Sequence, residues 1–503
     1  MAARPHWLAV AAGLLATELA AETHTPLSAI DWLNQTPTVT LDITGEPPVA
    51  EDGDTPDVAV DPLDDTGRDA VGLLPSSVTG LPANLWQASR AERLAELVNE
   101  QSAEALPAIQ ALTYTLLLAE ANPPFNSAGN DALLLARVDQ LMAMGAIEQA
   151  HALLQRANPS VPHLFQRWFD VSLLLGEEQE ACTALLAAPR LTDDYASRIF
   201  CQARAGDWTS AALTLNSAQL LGLISEEEDA LLLRFLDPEL FEGEPLLVRP
   251  TDPNPLKFRL YEAIGETLAT TTLPRAFAHI DIGPNAGWKA QLDAAERLAR
   301  SGALPENRLF GIYTDRRPAA SGGVWDRVAA VQAFDRAIAA KDARAVAKSL
   351  ESAWIAMRQA RLEVSFARFY GPALEKIALS GNPATLAREI LLLSPNYETV
   401  GQRGPKDYFA GLATGTPPRR ADTGLKQAVS DAFHGAGVPQ TLSNHLARGQ
   451  LGEVILQTMT LFSKGAAGDL PALTHALATF RAIGLEDTAR QAALQVLLLE
   501  RGF

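Results

Sequence analysis

Eight histidines are the first residues to weigh, because imidazole serves both as metal ligand and as general base. They are scattered, and no two stand at the i, i+4 spacing that places a pair on one helical face. The sequence therefore predicts no metal centre. A Gly-x-Ser-x-Gly elbow and a Ser-x-x-Lys pair are both missing, so nothing marks an activated nucleophile. The run Gly283–Lys289 has glycines and a lysine but lacks phosphate-loop spacing and a following Ser or Thr. Carboxylates are plentiful, yet none forms a marked acid–base pair. These residues predict a non-catalytic chain with no cofactor.

Three small groups could still bind something. Asp315, Arg316 and Arg317 precede Gly322-Gly323, where backbone N–H groups could join two guanidinium groups around an anion; the alternative is an ion-paired crossover loop. Arg403, Lys406, Arg419 and Arg420 flank a Gly- and Pro-rich stretch and suit either an acidic polymer or open solvent. Ile30 and Leu33 fall on one side, with Trp32 beside them, of a short helix that Ser28 can cap, too short to stand alone in water. Such a motif must dock, on its own body or in a partner's groove. Cys182 and Cys201, the only cysteines, are read either as a disulfide or as two small core residues.

The surroundings of these groups narrow the partners. Net charge is −19 over 503 residues, which argues against nucleic acid because phosphate binding needs a basic footprint. Residues 1–21 carry Arg4 and His6, an apolar run from Trp7 to Thr17, and small residues Ala20 and Ala21. That is the form of a signal peptide, and Glu18 ends the run too early for a membrane span. The chain is thus expected to be exported, periplasmic and without a span after cleavage. Residues 22–70 hold a net −11, so 22–86 is expected to be an acidic disordered tether carrying two apolar islands, Thr25–Leu33 and Gly72–Trp86. Its Asp52–Asp65 cluster lacks the Gly and closing Glu of a calcium loop, so it is read as solvated linker.

The body reads as all-α. Gly145, Gly176 and Gly206 stand 31 and 30 residues apart. Five residues after each comes Ala (Ala150, Ala181, Ala211), nine after comes Leu (Leu154, Leu185, Leu215), and twelve after comes Ala again. Upstream, Leu134-Val138-Met142, Phe165-Phe169-Leu173 and Tyr195-Ile199-Ala203 repeat at steps of four, one stripe of a helix. The unit is a helix–turn–helix of about 30 residues whose apolar face needs a neighbour. Gly484 with Ala489, and the turn Ala340-Lys341-Asp342, extend the pattern toward the C-terminus. The expected divisions are helical repeats over 87–236, an irregular segment with long loops over 237–328, and further repeats over 329–503. Within them Glu306–Gly323 and Arg403–Arg420 are read as irregular.

This pattern resembles tetratricopeptide-like repeat proteins in its helix pairs, turn glycine and small second-helix residues, without their 34-residue period or regular Trp and Pro positions. The body also looks like the helical array of periplasmic lytic transglycosylases. Glu351-Ser352 supplies their acidic dipeptide with nothing like the rest of that catalytic segment. The resemblance implies a solenoid that binds proteins of the cell envelope, and the first expectation is a non-catalytic scaffold or adaptor using this surface and the Ile30–Leu33 motif. Two alternatives stand beside it: a binder of peptidoglycan, and an enzyme using the 306–328 loop.

Overall fold

Each of the three repeat glycines closes a helix. Gly145, Gly176 and Gly206 adopt φ of 79°, 75° and 82°, where a side chain would crowd the following carbonyl. The residue after each donates its N–H to the carbonyl five before it: Ala146 to Leu141 at 2.8 Å, Glu177 to Ser172 at 2.9 Å, Asp207 to Gln202 at 3.0 Å. This is a Schellman closure, which satisfies the carbonyls left unpaired at a helix end.

The computed structural model describes residues 67–127, 129, 131–318 and 320–499. The signal segment 1–21, the motif Ile30–Trp32–Leu33 and the acidic segment up to residue 66 lie outside the described residues. The described part holds twenty-five α-helices and no strand; Leu74 and Ala119 form an isolated bridge. Three short helices come first: α1 (Ser76–Thr79), α2 (Ala91–Asn99) and α3 (Pro107–Leu118). The glycine turns then join α4 (Ala132–Met144) to α5 (Ile147–Arg156), α6 (Pro162–Leu175) to α7 (Gln179–Ala187), and α8 (Tyr195–Arg204) to α9 (Trp208–Leu220).

The repeated positions are the buried ones. Leu134, Val138, Phe165, Phe169 and Ile199 are core residues, as are Ala150, Ala181, Ala211, Leu154, Leu185 and Leu215. Ala188 departs from the pattern and is exposed. Each helix from α4 to α9 packs on the next. After α10 (Glu226–Leu236) the chain turns back: α11 (Pro255–Ala263) and α12 (Ala278–Asp281) both pack on α6.

A second run follows: α13 (Trp288–Ala299), α14 (Glu306–Thr314), α15 (Val324–Ala339), α16 (Ala343–Ala360), α17 (Glu363–Leu374), α18 (Asn382–Leu392), α19 (Tyr397–Arg403) and α20 (Tyr408–Ala413). The last group is α21 (Gly424–His434), α22 (Gln440–Ala447), α23 (Leu451–Ala466), α24 (Leu470–Ala482) and α25 (Glu486–Leu498). Two stretches read as irregular therefore contain helices. Residues 306–314 are helical because Leu309, Phe310 and Tyr313 fall on one buried face, outweighing Gly311 in its middle. Asp407 accepts from the Ala410 N–H at 2.9 Å and starts α20 inside the 403–420 stretch.

The latest helices return to the earliest. α2 packs on both α4 and α23, and α3 on both α4 and α25. Gln495 accepts from the Ala108 N–H at 2.8 Å, and Gln101 donates to the Leu456 carbonyl at 3.3 Å. Gly452 donates its N–H to the Leu85 carbonyl at 3.2 Å, and its missing side chain makes room for the buried Trp86 ring.

The stretch 67–86, expected as the end of the tether, is instead part of the body. Leu81, Leu85 and Trp86 are core residues. Arg137, fully buried on α4, donates to the carbonyls of Leu117 (2.7 Å), Ala119 (3.0 Å), Asp69 (3.3 Å) and Val71 (2.7 Å). Burial lowers its pKa to about 10, against the pull of the nearby Asp69 carboxylate. Asp69, also buried, accepts from the Leu134 N–H at 2.7 Å and from the Ser127 hydroxyl. One guanidinium thus bridges residues 69–71 and the end of α3, which also meet through backbone hydrogen bonds from Leu73 and Leu74 to Leu118.

Candidate functional site

The reunion of early and late helices leaves a cleft. Its volume is about 600 Å³, within the usual ligand-site range. Three distant stretches line it: Ser102–Leu106 between α2 and α3, Arg358–Glu363 at the α16–α17 turn, and α23 with α25 through Phe462, Ala466 and Val496. A second cleft of about 380 Å³ shares Arg361 with the first and runs between α3, α14 and α17. The first cleft has apolar side chains in Phe462, Val496 and Leu499, and charged ones in Glu104, Arg358 and Arg361.

The α16–α17 turn that divides the clefts is held from below. Arg361 is itself the left-handed residue of a Schellman closure, with φ 57° and Leu362 N–H bonded to the Met357 carbonyl at 2.9 Å. Arg300 donates through Nε to the Ala360 carbonyl at 2.7 Å. Arg300 in turn pairs with the buried Glu296 at 3.0 Å. Glu296 also accepts from Arg327 at 2.8 Å and from the Tyr313 hydroxyl at 2.7 Å. Burial and the adjoining Glu296 carboxylate both push the Tyr313 pKa upward, so Tyr313 stays a donor. None of Arg358, Arg361 and Glu363 is a free charge; each already interacts within the protein.

The residues singled out by sequence sit elsewhere. Asp315 and Arg316 pair with each other at 3.0 Å in an exposed loop, and the Arg316 carbonyl accepts from Gln332 at 2.6 Å. Arg317 is exposed beside them. Arg403 pairs with Glu375 at 3.2 Å, and Lys406 donates to the Gln402 carbonyl at 3.3 Å. Arg419 and Arg420 are exposed. Cys182 on α7 and Cys201 on α8 are joined by a disulfide, both buried, with Cα atoms 5.0 Å apart. No group of three metal-ligating side chains occurs among the described residues.

Two titratable groups stand out, and neither lines the clefts. Burial pushes Asp170 on α6 up to about 7, opposed by its 3.0 Å hydrogen bond from Gln166. Burial holds His279 below the ordinary imidazole value, beside the Gly145 carbonyl at 2.7 Å. The cleft residues themselves carry no local sequence signature. Their nearness depends on helices more than 350 residues apart.

The lining mixes apolar and charged side chains, so a ligand there could leave water on one side and meet polar groups on another. No helix among the described residues is long and apolar enough to cross a membrane. No protein-family model matches the chain, and comparison with curated proteins and with solved structures likewise gives no match.

Proposed function

We propose that this chain is an exported, non-catalytic adaptor that captures peptide segments of other cell-envelope proteins in the cleft at the α16–α17 turn. The observation that carries the reading is the paired clefts of about 600 and 380 Å³ sharing Arg361. Both are lined by apolar and charged side chains from separate elements of the chain.

Other features support the setting. The helix pairs around Gly145, Gly176 and Gly206 suit a tetratricopeptide-like solenoid, a class that binds peptides along helical surfaces. The short charged head, apolar run and small-residue exit of residues 1–21 support a cleaved signal peptide and a periplasmic protein. The Cys182–Cys201 bond suits such an oxidising compartment. Ile30, Trp32 and Leu33 would serve as a second docking motif, and an acidic tether would raise the local concentration of a partner held at either place.

Photo-crosslinking tests the reading. A photoreactive residue placed at Ser102 or Ala466, inside the cleft, should yield adducts with envelope proteins; one at the exposed Arg190 should not. Deleting residues 22–66 should lower the yield without moving the adducts. Equal labelling at all three positions would sink the cleft assignment.

A further inference from the structure

Helix α9 carries an outer face that does not suit open water. The end unit of a helical array ordinarily presents a polar outer surface. Here α9 packs on α8 and on α10, after which the chain turns back to α6, and the outward side of α9 stays exposed. Leu213, Leu220 and Leu221 are 67%, 87% and 69% exposed, and Trp208 and Leu223 are about half exposed. These five side chains present roughly 600 Å² of apolar surface, at the top of the ~300–600 Å² range for the largest patch on a monomer. With the exposed Thr209, Ala212, Asn216 and Ser217 between them, the face approaches the ~800 Å² per partner of a stable interface.

The charge pattern selects the partner. From Trp208 to Ser225, eighteen consecutive residues include no Asp, Glu, Lys, Arg or His, in a chain where 20% of residues are charged. An oppositely charged partner would find no counter-charge there. Two copies of this acidic chain, in contrast, can meet on this face without bringing many like charges together. The residue order is also self-complementary. About a centre between Asn216 and Ser217, Leu213 falls opposite Leu220, and Ala212 opposite Leu221. A two-fold contact forms each such pair twice, so the Leu213–Leu220 contact would occur on both sides of the axis.

We propose that two copies of the chain associate through antiparallel α9 helices, with the two-fold axis passing between Asn216 and Ser217. The arrangement is independent of the cleft. The exposed face of α9 itself carries no charge, so added salt should leave the dimer unchanged or tighten it.

Sedimentation equilibrium of the whole mature chain over about 1–100 µM tests this, with far-UV circular dichroism as the check on folding. The expected result is a dimer whose dissociation constant rises at least tenfold in the double variant Leu213→Asp/Leu220→Asp. Because both side chains are exposed, that variant keeps its helical spectrum. Ser217→Cys, next to the axis, should cross-link two copies under mild oxidation, and Glu351→Cys on α16 should not. A wild-type chain that stays monomeric at 100 µM overturns the proposal, including the case in which it binds phosphatidylcholine vesicles instead. So does a dimer that weakens as salt rises, or one that cross-links equally through both cysteines.

Discussion

At Gly145 two separate costs would fall on any side chain. The first is its φ of 79°, which an L-residue adopts at about 1–2 kcal/mol. The second is space: a Cβ there would meet the Leu298 side chain at 2.6 Å. Gly206 has the same backbone, with nothing within 4 Å of its Cβ position. Gly206→Ala should therefore cost about 1–2 kcal/mol, and Gly145→Ala ~1–3 kcal/mol more through overpacking. Urea unfolding of the two variants checks the order; equal losses would remove the steric part. These turns were legible in the sequence because glycine marks them. The turn at Arg361 makes the same closure with an arginine, and no residue type there announces it. The cleft was hidden for that reason, even though the Lys341 turn could be read from its neighbours.

Among elements, the junction of segment 67–74 with the end of α3 and the start of α4 has Arg137 at its centre, beside the Asp69 contacts to Leu134 and Ser127 and the Arg68–Asp131 pair. Leu73 and Leu74 donate their N–H groups to the Leu118 carbonyl at 2.8 and 2.9 Å, and Arg137 fixes both strands of that contact. Arg137→Leu leaves its carbonyl partners without a donor and the buried Asp69 without its nearby positive charge. A loss of about 3–5 kcal/mol is expected, as for a broken buried pair. Hydrogen exchange at Leu73, Leu74 and Glu120 should rise together; unchanged protection there would contradict the clasp. The docking of Leu81, Leu85 and Trp86 follows from their apolarity, which marked an island in the sequence without saying what would cover it. Arg137 was not legible: a charge on a repeat helix ordinarily faces solvent, and only the backbone carbonyls converging on it make the interior tolerable.

Over the whole molecule, the reunion of α2 and α3 with α23 and α25 decides which surfaces exist. Trp86 fills the space left by Gly452, where a Cβ would come within 2.4 Å of its ring. Trp86→Ala should cost about 3–5 kcal/mol, and Gly452→Ala should also destabilise by displacing the ring. The double variant should lose less than the sum by ~1 kcal/mol or more, because the added methyl enters the space the ring vacates. Strict additivity in thermal unfolding would mean that the two residues do not share that space. All-helical character and the three helix pairs were readable from periodicity, which is a local property. The reunion was not, because hydrogen bonds between residues 355 and 387 apart in sequence leave no periodic trace.

That separation also sets a schedule. During synthesis α2 and α3 emerge early, yet the glutamine and tryptophan contacts that bury their second faces need helices made more than 350 residues later. At 5–20 residues per second, the delay is about 20–80 s. Through that interval α2 and α3 lack the α23 and α25 surfaces they pack on, and the closing contact must then overcome the entropy of a very long loop. The nascent chain is thus exposed to aggregation for tens of seconds at its first helices, where a holding chaperone would act.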